Sequence, residues 1–265
     1  MTPDLQIDGV PATGEDLAPI ALVNYGAYTS FRVEEGGVRG LDLHLARLEA
    51  SAVELFGEAV GEARLRALLR GALAGRPSCW LRVSLFAPAI GMRDPTWRGR
   101  PRVMVGAFPP PPPLAEALRV QVQTYQREAA HLKHVGTFGL VRARRAAREA
   151  GFDDTLFVDV AGRISEGSLW NVGFRRGDDI IWPLAPMLGG VAQALIRRGL
   201  AAVGLTDRTQ DINLRDLDGF DAAFACNSAT PACPITAIDA RAFAADGDLT
   251  DRLRAAWESN RLEAV

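Results

Sequence analysis

Lysine is nearly absent from this chain. Lys and Arg together number 30 in 265 residues, and Lys133 is the only lysine among them. Arginine serves well as a solvated surface cation, but it does not lose a proton near neutral pH and cannot form an imine with an aldehyde. A sole lysine in such a background is either a remnant of the arginine bias or a residue kept for amine chemistry. Cysteine and histidine are also scarce, three of each. Cys79, Cys226 and Cys233 are too few and too scattered for a disulfide framework or a metal site, and Cys226 and Cys233 read as small core residues. His44, His131 and His134 form no HExxH-type pattern, which argues against catalytic zinc. Neither sign of charge dominates: a formal net charge of −2 gives no electrostatic case for nucleic acid or an anionic membrane. No apolar run is long enough to span a bilayer. The opening Met1-Thr-Pro-Asp-Leu-Gln-Ile-Asp lacks the basic start and apolar stretch of a signal peptide, so the expected setting is the cytoplasm.

What is present fits a folded enzyme-sized chain. Apolar residues make up 48% and charged residues 23%, as in ordinary globular domains. Residues 109–113 are all proline. Such a run is stiff, extended and unable to enter a sheet interior. It predicts a first α/β domain over 1–108, a linker over 109–113 and a second domain over 114–265.

In the first domain, residues 28–34 read as a strand turned by Gly36-Gly37. Strand alternation puts Tyr28, Ser30 and Arg32 on one face. Leu41, Leu45, Leu48, Ala52 and Leu55 recur at helical spacing. A second helix is predicted over 63–74, with strands at 80–86 and 102–107. The second domain opens with a strand at 118–123, a loop carrying Lys133, and a helix over 140–150 stopped by Gly151. Short strands follow at 155–159, 163–165, 169–174 and 180–182. A helix is predicted over 190–200, a strand at 222–226 and a closing helix over 249–262.

Four segments of the second domain stand out together. They are Leu132-Lys133-His134-Val135-Gly136, Gly162-Arg163-Ile164-Ser165-Glu166-Gly167-Ser168-Leu169-Trp170-Asn171, Leu188-Gly189-Gly190-Val191-Ala192, and Cys226-Asn227-Ser228-Ala229-Thr230-Pro231-Ala232-Cys233-Pro234-Ile235. With His44-Leu45-Ala46-Arg47-Leu48, their order and spacing resemble the class IV aminotransferases, pyridoxal-phosphate enzymes of fold type IV. That family includes branched-chain and D-amino-acid aminotransferases and aminodeoxychorismate lyase. The resemblance implies an α/β (α+β) fold of two domains with the cofactor in the cleft between them, the second built around a barrel-like sheet. It also implies a homodimer.

The resemblance assigns roles residue by residue. Lys133 is implied as the catalytic residue, forming the Schiff base with the aldehyde of pyridoxal 5'-phosphate and then moving a proton at the substrate. Glu166 is implied to face the pyridine nitrogen and keep it protonated. Val191 and Ala192, at a helix start behind Gly190, are implied to offer backbone N–H groups to the phosphate, as are Ser228 and the amide of Ala229. Arg47 matches the arginine that grips the phosphate oxygens. Tyr28, Ser30 and Arg82 are candidate substrate contacts.

Two features depart from the family pattern. Phe138, five residues after Lys133, stands where many relatives have a tyrosine bonded to the ring hydroxyl. Asn171 is the candidate to replace that contact. Lys133-His134 and the 226–235 stretch look like the lyase branch, whereas Arg82 is similar to an arginine of the branched-chain enzymes. The implied function is transfer of an amino group from an amino acid to a 2-oxo acid. Elimination of pyruvate from aminodeoxychorismate, and cofactor binding without catalysis, stand as alternatives.

Overall fold

The computed structural model describes residues 4–265. The chain divides into two compact units. One comprises Met1–Pro111, Leu132–Gly136 and Leu262–Val265; the other comprises Pro112–His131 and Thr137–Arg261. The first passage between them falls inside the proline run. Two segments expected with the second domain lie in the first unit instead: the Lys133 segment and the last residues of the chain.

The first unit contains strands β1 (Asp4–Ile7) and β2 (Val10–Pro11), helix α1 (Gly14–Leu22), β3 (Gly26–Val33), β4 (Gly37–Arg39), helices α2 (Leu41–Phe56) and α3 (Glu62–Leu73), β5 (Cys79–Phe86) and β6 (Arg102–Phe108). Its main sheet has the order β2-β1-β6-β5-β3, antiparallel throughout. Alternation along β3 buries Ala27, Thr29, Phe31 and Val33 and leaves Tyr28, Ser30 and Arg32 half-buried on the other face. Helix α2 lays Leu41, Leu45, Leu48, Ala52 and Phe56 into the core at helical spacing. Each of these leucine and phenylalanine side chains contributes about 1.5–3 kcal/mol by leaving water. Gly57 ends α2 at φ 87°, a left-handed turn that suits glycine.

The second unit holds β7 (Leu118–Thr124), α4 (Phe138–Glu149), β8 (Asp154–Val158), β9 (Ile164–Gly167), β10 (Asn171–Arg176), β11 (Asp179–Pro183), α5 (Val191–Gly199), β12 (Thr206–Gln210), β13 (Ala222–Cys226), β14 (Cys233–Ile238), β15 (Arg241–Ala242) and α6 (Gly247–Glu258). Its strands run β12-β11-β10-β13-β14-β7-β8-β9, and β9 also pairs with β10. The run from β10 through β13, β14, β7, β8 and β9 therefore closes on itself as a barrel. Closure is made by one cross-strand pair, Asn171 opposite Glu166. The barrel is filled by Leu118, Val120, Leu156, Val158, Ile164, Val172 and their neighbours. Cys233 is buried among them and Cys226 in a second cluster, under α5 and α6, and burial pushes their thiols up to about 11 and about 12, so neither is a thiolate.

The closing helix is shorter than the sequence predicts. α6 ends at Glu258, where the Asn260 amide donates to the carbonyls of Ala256 and Trp257 and also to Leu195. Beyond it, β16 (Leu262–Ala264) pairs antiparallel with β4 of the first unit.

A buried charge organises the β8–β9–β10 corner. Asp154 is fully buried. It accepts hydrogen bonds from Ser168 Oγ at 2.5 Å and Trp170 Nε1 at 3.1 Å, and pairs with Arg144 of α4 at 3.3 Å. Asp154→Ala strands these groups, and we expect a loss of roughly 3 kcal/mol or more. Urea unfolding measures this; an unchanged midpoint would contradict the assignment.

Candidate active site

The sole lysine is fixed by its backbone. Lys133 C=O accepts from Tyr28 N–H at 2.9 Å, and Val135 N–H donates to Gly26 C=O at 3.0 Å. Residues 133–135 thus run against β3, with Ala27 and His134 bridged antiparallel. The lysine side chain lies over the aromatic ring of Tyr28, Nζ 5.0 Å from the ring centroid. Arg82 stacks on the same ring at 3.7 Å. Register explains this meeting: Tyr28 faces Ser84 and Ser30 faces Arg82 across β3–β5, so all share one sheet face. The structure therefore brings Lys133, Tyr28, Ser30 and Arg82 together. Lys133 is half-buried.

Behind that face lies a residue that the sequence reading quoted but gave no role. His44 of α2 is buried, with its Nδ1 2.6 Å from Thr29 Oγ1 and its ring 4.8 Å from that of Phe31. Burial holds His44 well below its ordinary value of 6.5, and the cations of Arg47 and Lys133 add to the effect. Arg47 is half-buried one turn further along α2. The i, i+3 spacing of His44 and Arg47 was the signal that could have found this neighbourhood.

In the second unit, Glu166 is buried at the barrel closure. Oε1 accepts from Arg127 Nη1 at 3.3 Å, and Oε2 from Leu188 N–H at 3.2 Å. Arg127 is itself buried and also donates to Ala130 C=O. Sequence reasoning passed over Arg127, because one arginine among so many carries no signal of its own. Asn171, beside Glu166 across the strands, uses its amide on Leu188 C=O at 2.8 Å. The same amide nitrogen lies 3.9 Å from Met187 Sδ.

The segment after Leu188 leads into α5. Gly190 is its N-cap residue, and among the described residues no side chain caps its first turn. The N–H groups of Val191 and Ala192 there have no partner within the helix, and the positive end of the helix dipole favours an anion. A Cβ at Gly190 would meet Asn171 Oδ1 at 1.9 Å, so only glycine lets the backbone lie this close. Ser228 and Ala229 sit in a turn after β13, where the Ala229 and Thr230 amides both donate to Asn227 Oδ1, at 2.9 and 2.8 Å. The Ala229 N–H is thus engaged locally. Phe138 begins α4 with its side chain exposed. Among the described residues no cluster of His, Cys, Asp and Glu could hold a metal ion, and no helix is long and apolar enough to cross a membrane.

The profile of the amino-transferase class IV family matches residues 26–238, and the chain belongs to that family. A curated relative, a probable branched-chain-amino-acid aminotransferase of Rickettsia bellii, is 23% identical over 145 residues, which cover 52% of this chain and 50% of the relative. The chain thus matches about half the length of that relative. The fold is shared with a branched-chain aminotransferase of Escherichia coli: TM-score 0.84, 20% identity, 97% of this chain and 94% of that one. It is also shared with a Brucella abortus aminotransferase bound to PLP: TM-score 0.76, 21% identity, 91% and 90% coverage. This is the mixed α/β architecture of the fold type IV transaminases.

The buried His44 makes a pH prediction. Its folded-state value is lowered, so the unfolded chain binds the extra proton. The stability contributed by neutral His44 is complete above pH 6.5 and lost as pH falls below it. Stability is therefore expected to fall between about pH 7.5 and about pH 5.5 on account of this one residue. Urea unfolding of wild type and His44→Gln at both pH values should show that loss in wild type and not in the variant.

Proposed function

We propose that this chain is a pyridoxal 5'-phosphate-dependent aminotransferase that moves an amino group from an amino acid to a 2-oxo acid. The observation that carries the reading is Lys133: the only side-chain amine, in the matched family region, held by its backbone beside Tyr28 and Arg82. The donor set suits the cofactor. It offers an amine for an aldehyde, a buried carboxylate for a ring nitrogen, and an arginine, a hydroxyl and uncapped helix amides for a phosphate.

When bound, the cofactor supplies an aldehyde that takes up the amino group and a pyridinium ring that accepts electron density from the substrate α carbon. The chain's own residues do the rest. In the first unit, Lys133 Nζ anchors the aldehyde and then moves a proton at the substrate α carbon. Arg47 holds phosphate oxygens as a fixed cation. Tyr28, Ser30 and Arg82 form the face that meets the substrate, with Arg82 suited to a carboxylate. In the second unit, Glu166 holds the proton on the ring nitrogen. Val191 and Ala192 donate backbone N–H groups to the phosphate, and Ser228 its hydroxyl, with Ala229 shaping that turn. The PLP-bound structure of one relative and the enzyme names of others support this reading, and a cytoplasmic setting and a dimeric assembly belong to the same proposal.

The test combines spectroscopy with half-reactions. Wild type with pyridoxal 5'-phosphate should gain a visible absorption band that Lys133→Ala lacks, and amino transfer should fall by roughly a thousandfold or more in that variant. Simple amino acids should convert the bound cofactor to its pyridoxamine form. Protein that takes up no cofactor would refute the proposal. Release of pyruvate with 4-aminobenzoate, and no pyridoxamine form, would replace it with the elimination reaction.

A further inference from the structure

Glu166 does not reach its place alone. Both of its carboxylate oxygens are engaged within the second unit, Oε1 by the Arg127 guanidinium and Oε2 by the Leu188 N–H. The Leu188 peptide is held at its other end as well, because Leu188 C=O accepts from Asn171 Nδ2 at 2.8 Å. Asn171 and Glu166 are themselves the pair that closes the barrel. The result is a loop of contacts in which each member fixes the next. A buried carboxylate is stable as an anion only when a cation and hydrogen-bond donors replace its water. Arg127 supplies the cation, with its side chain only 6% exposed and that of Glu166 8% exposed.

Building on the reading that Glu166 serves the cofactor ring, we propose that Arg127 is a positioning residue for that ring. It acts through Glu166 by holding the carboxylate charged and fixed in rotamer, and the Asn171-held Leu188 peptide is the second donor. The same peptide leads into the start of α5, so the acid and the helix amides are braced by one backbone group. Arg127 does not touch the reacting atoms in this scheme. Its influence on the cofactor ends where the Glu166 carboxylate is removed.

A double-mutant cycle tests the idea on the full chain, with pyridoxal 5'-phosphate as the probe and its Kd read by absorbance titration. Arg127→Met should weaken binding about tenfold or more, in keeping with loss of a charge-assisted contact. It should also shift the pH at which the visible band of the bound cofactor is half lost. Arg127→Lys should restore much of both. In a Glu166→Gln background, Arg127→Met should change the Kd by less than about twofold, because the partner it acts through is gone. Glu166→Gln also removes the buried charge, so the double variant folds even if Arg127→Met alone does not, and Arg127→Lys then carries the comparison. Equal losses from Arg127→Met in both backgrounds, or an unmoved pH midpoint in Arg127→Met and Arg127→Lys alike, would overturn the proposal. If wild type itself fails to bind the cofactor, it is the functional reading that fails instead, and with it the ground for this inference.

Discussion

The second unit depends on one point of closure. Glu166 and Asn171 are the sole residue pair through which β9 meets β10, and without it the barrel is an open sheet with a free edge. Aromatic and β-branched residues are common members of stabilising cross-strand pairs. Here closure falls on a carboxylate and an amide, both buried. Such a pair is tolerable only because Arg127, the Leu188 N–H and the Leu188 carbonyl supply partners. The proposed site and the architecture therefore rest on the same contacts. A change made for one is felt by the other.

The first unit solves a different problem. It gathers Tyr28, Arg82 and Lys133 on one face of β3, and Arg47 lies close enough to His44 to act on it. Tyr28 presents its ring to Arg82 and Lys133, and an aromatic face attracts cations. His44 sits between the sheet and α2 and stays neutral, so it adds no further positive charge.

Much of this was legible in the sequence. Strand β13 and helix α2 follow from apolar runs of the right period, and the Lys133, Glu166 and Gly190 segments from their order. The parts that escaped did so for physical reasons. Strand β12 reads Thr-Asp-Arg-Thr-Gln and gains its place only by parallel pairing with β11. Helix α1 contains Pro19 and buries no side chain, so it shows no apolar stripe. Strand β14 contains Pro234, a residue that argues against a central strand. The boundary of the last helix was misplaced because Leu262 extends its apolar spacing but belongs to a strand that pairs with β4, a long-range contact invisible to local pattern. The bond that Asn171 makes to the Leu188 carbonyl needed three dimensions, because it joins residues 17 positions apart. Arg127 and His44 acquire meaning only from their burial.

The lone lysine has a practical consequence. A protein with a single side-chain amine offers electrophiles one lateral address. Among side chains, acylating tags, aldehyde cross-linkers and borohydride trapping that would smear over a typical surface converge here on one residue, whose main chain is pinned to β3. Occupancy of that position becomes a quantity that a mass spectrometer can read from the intact chain.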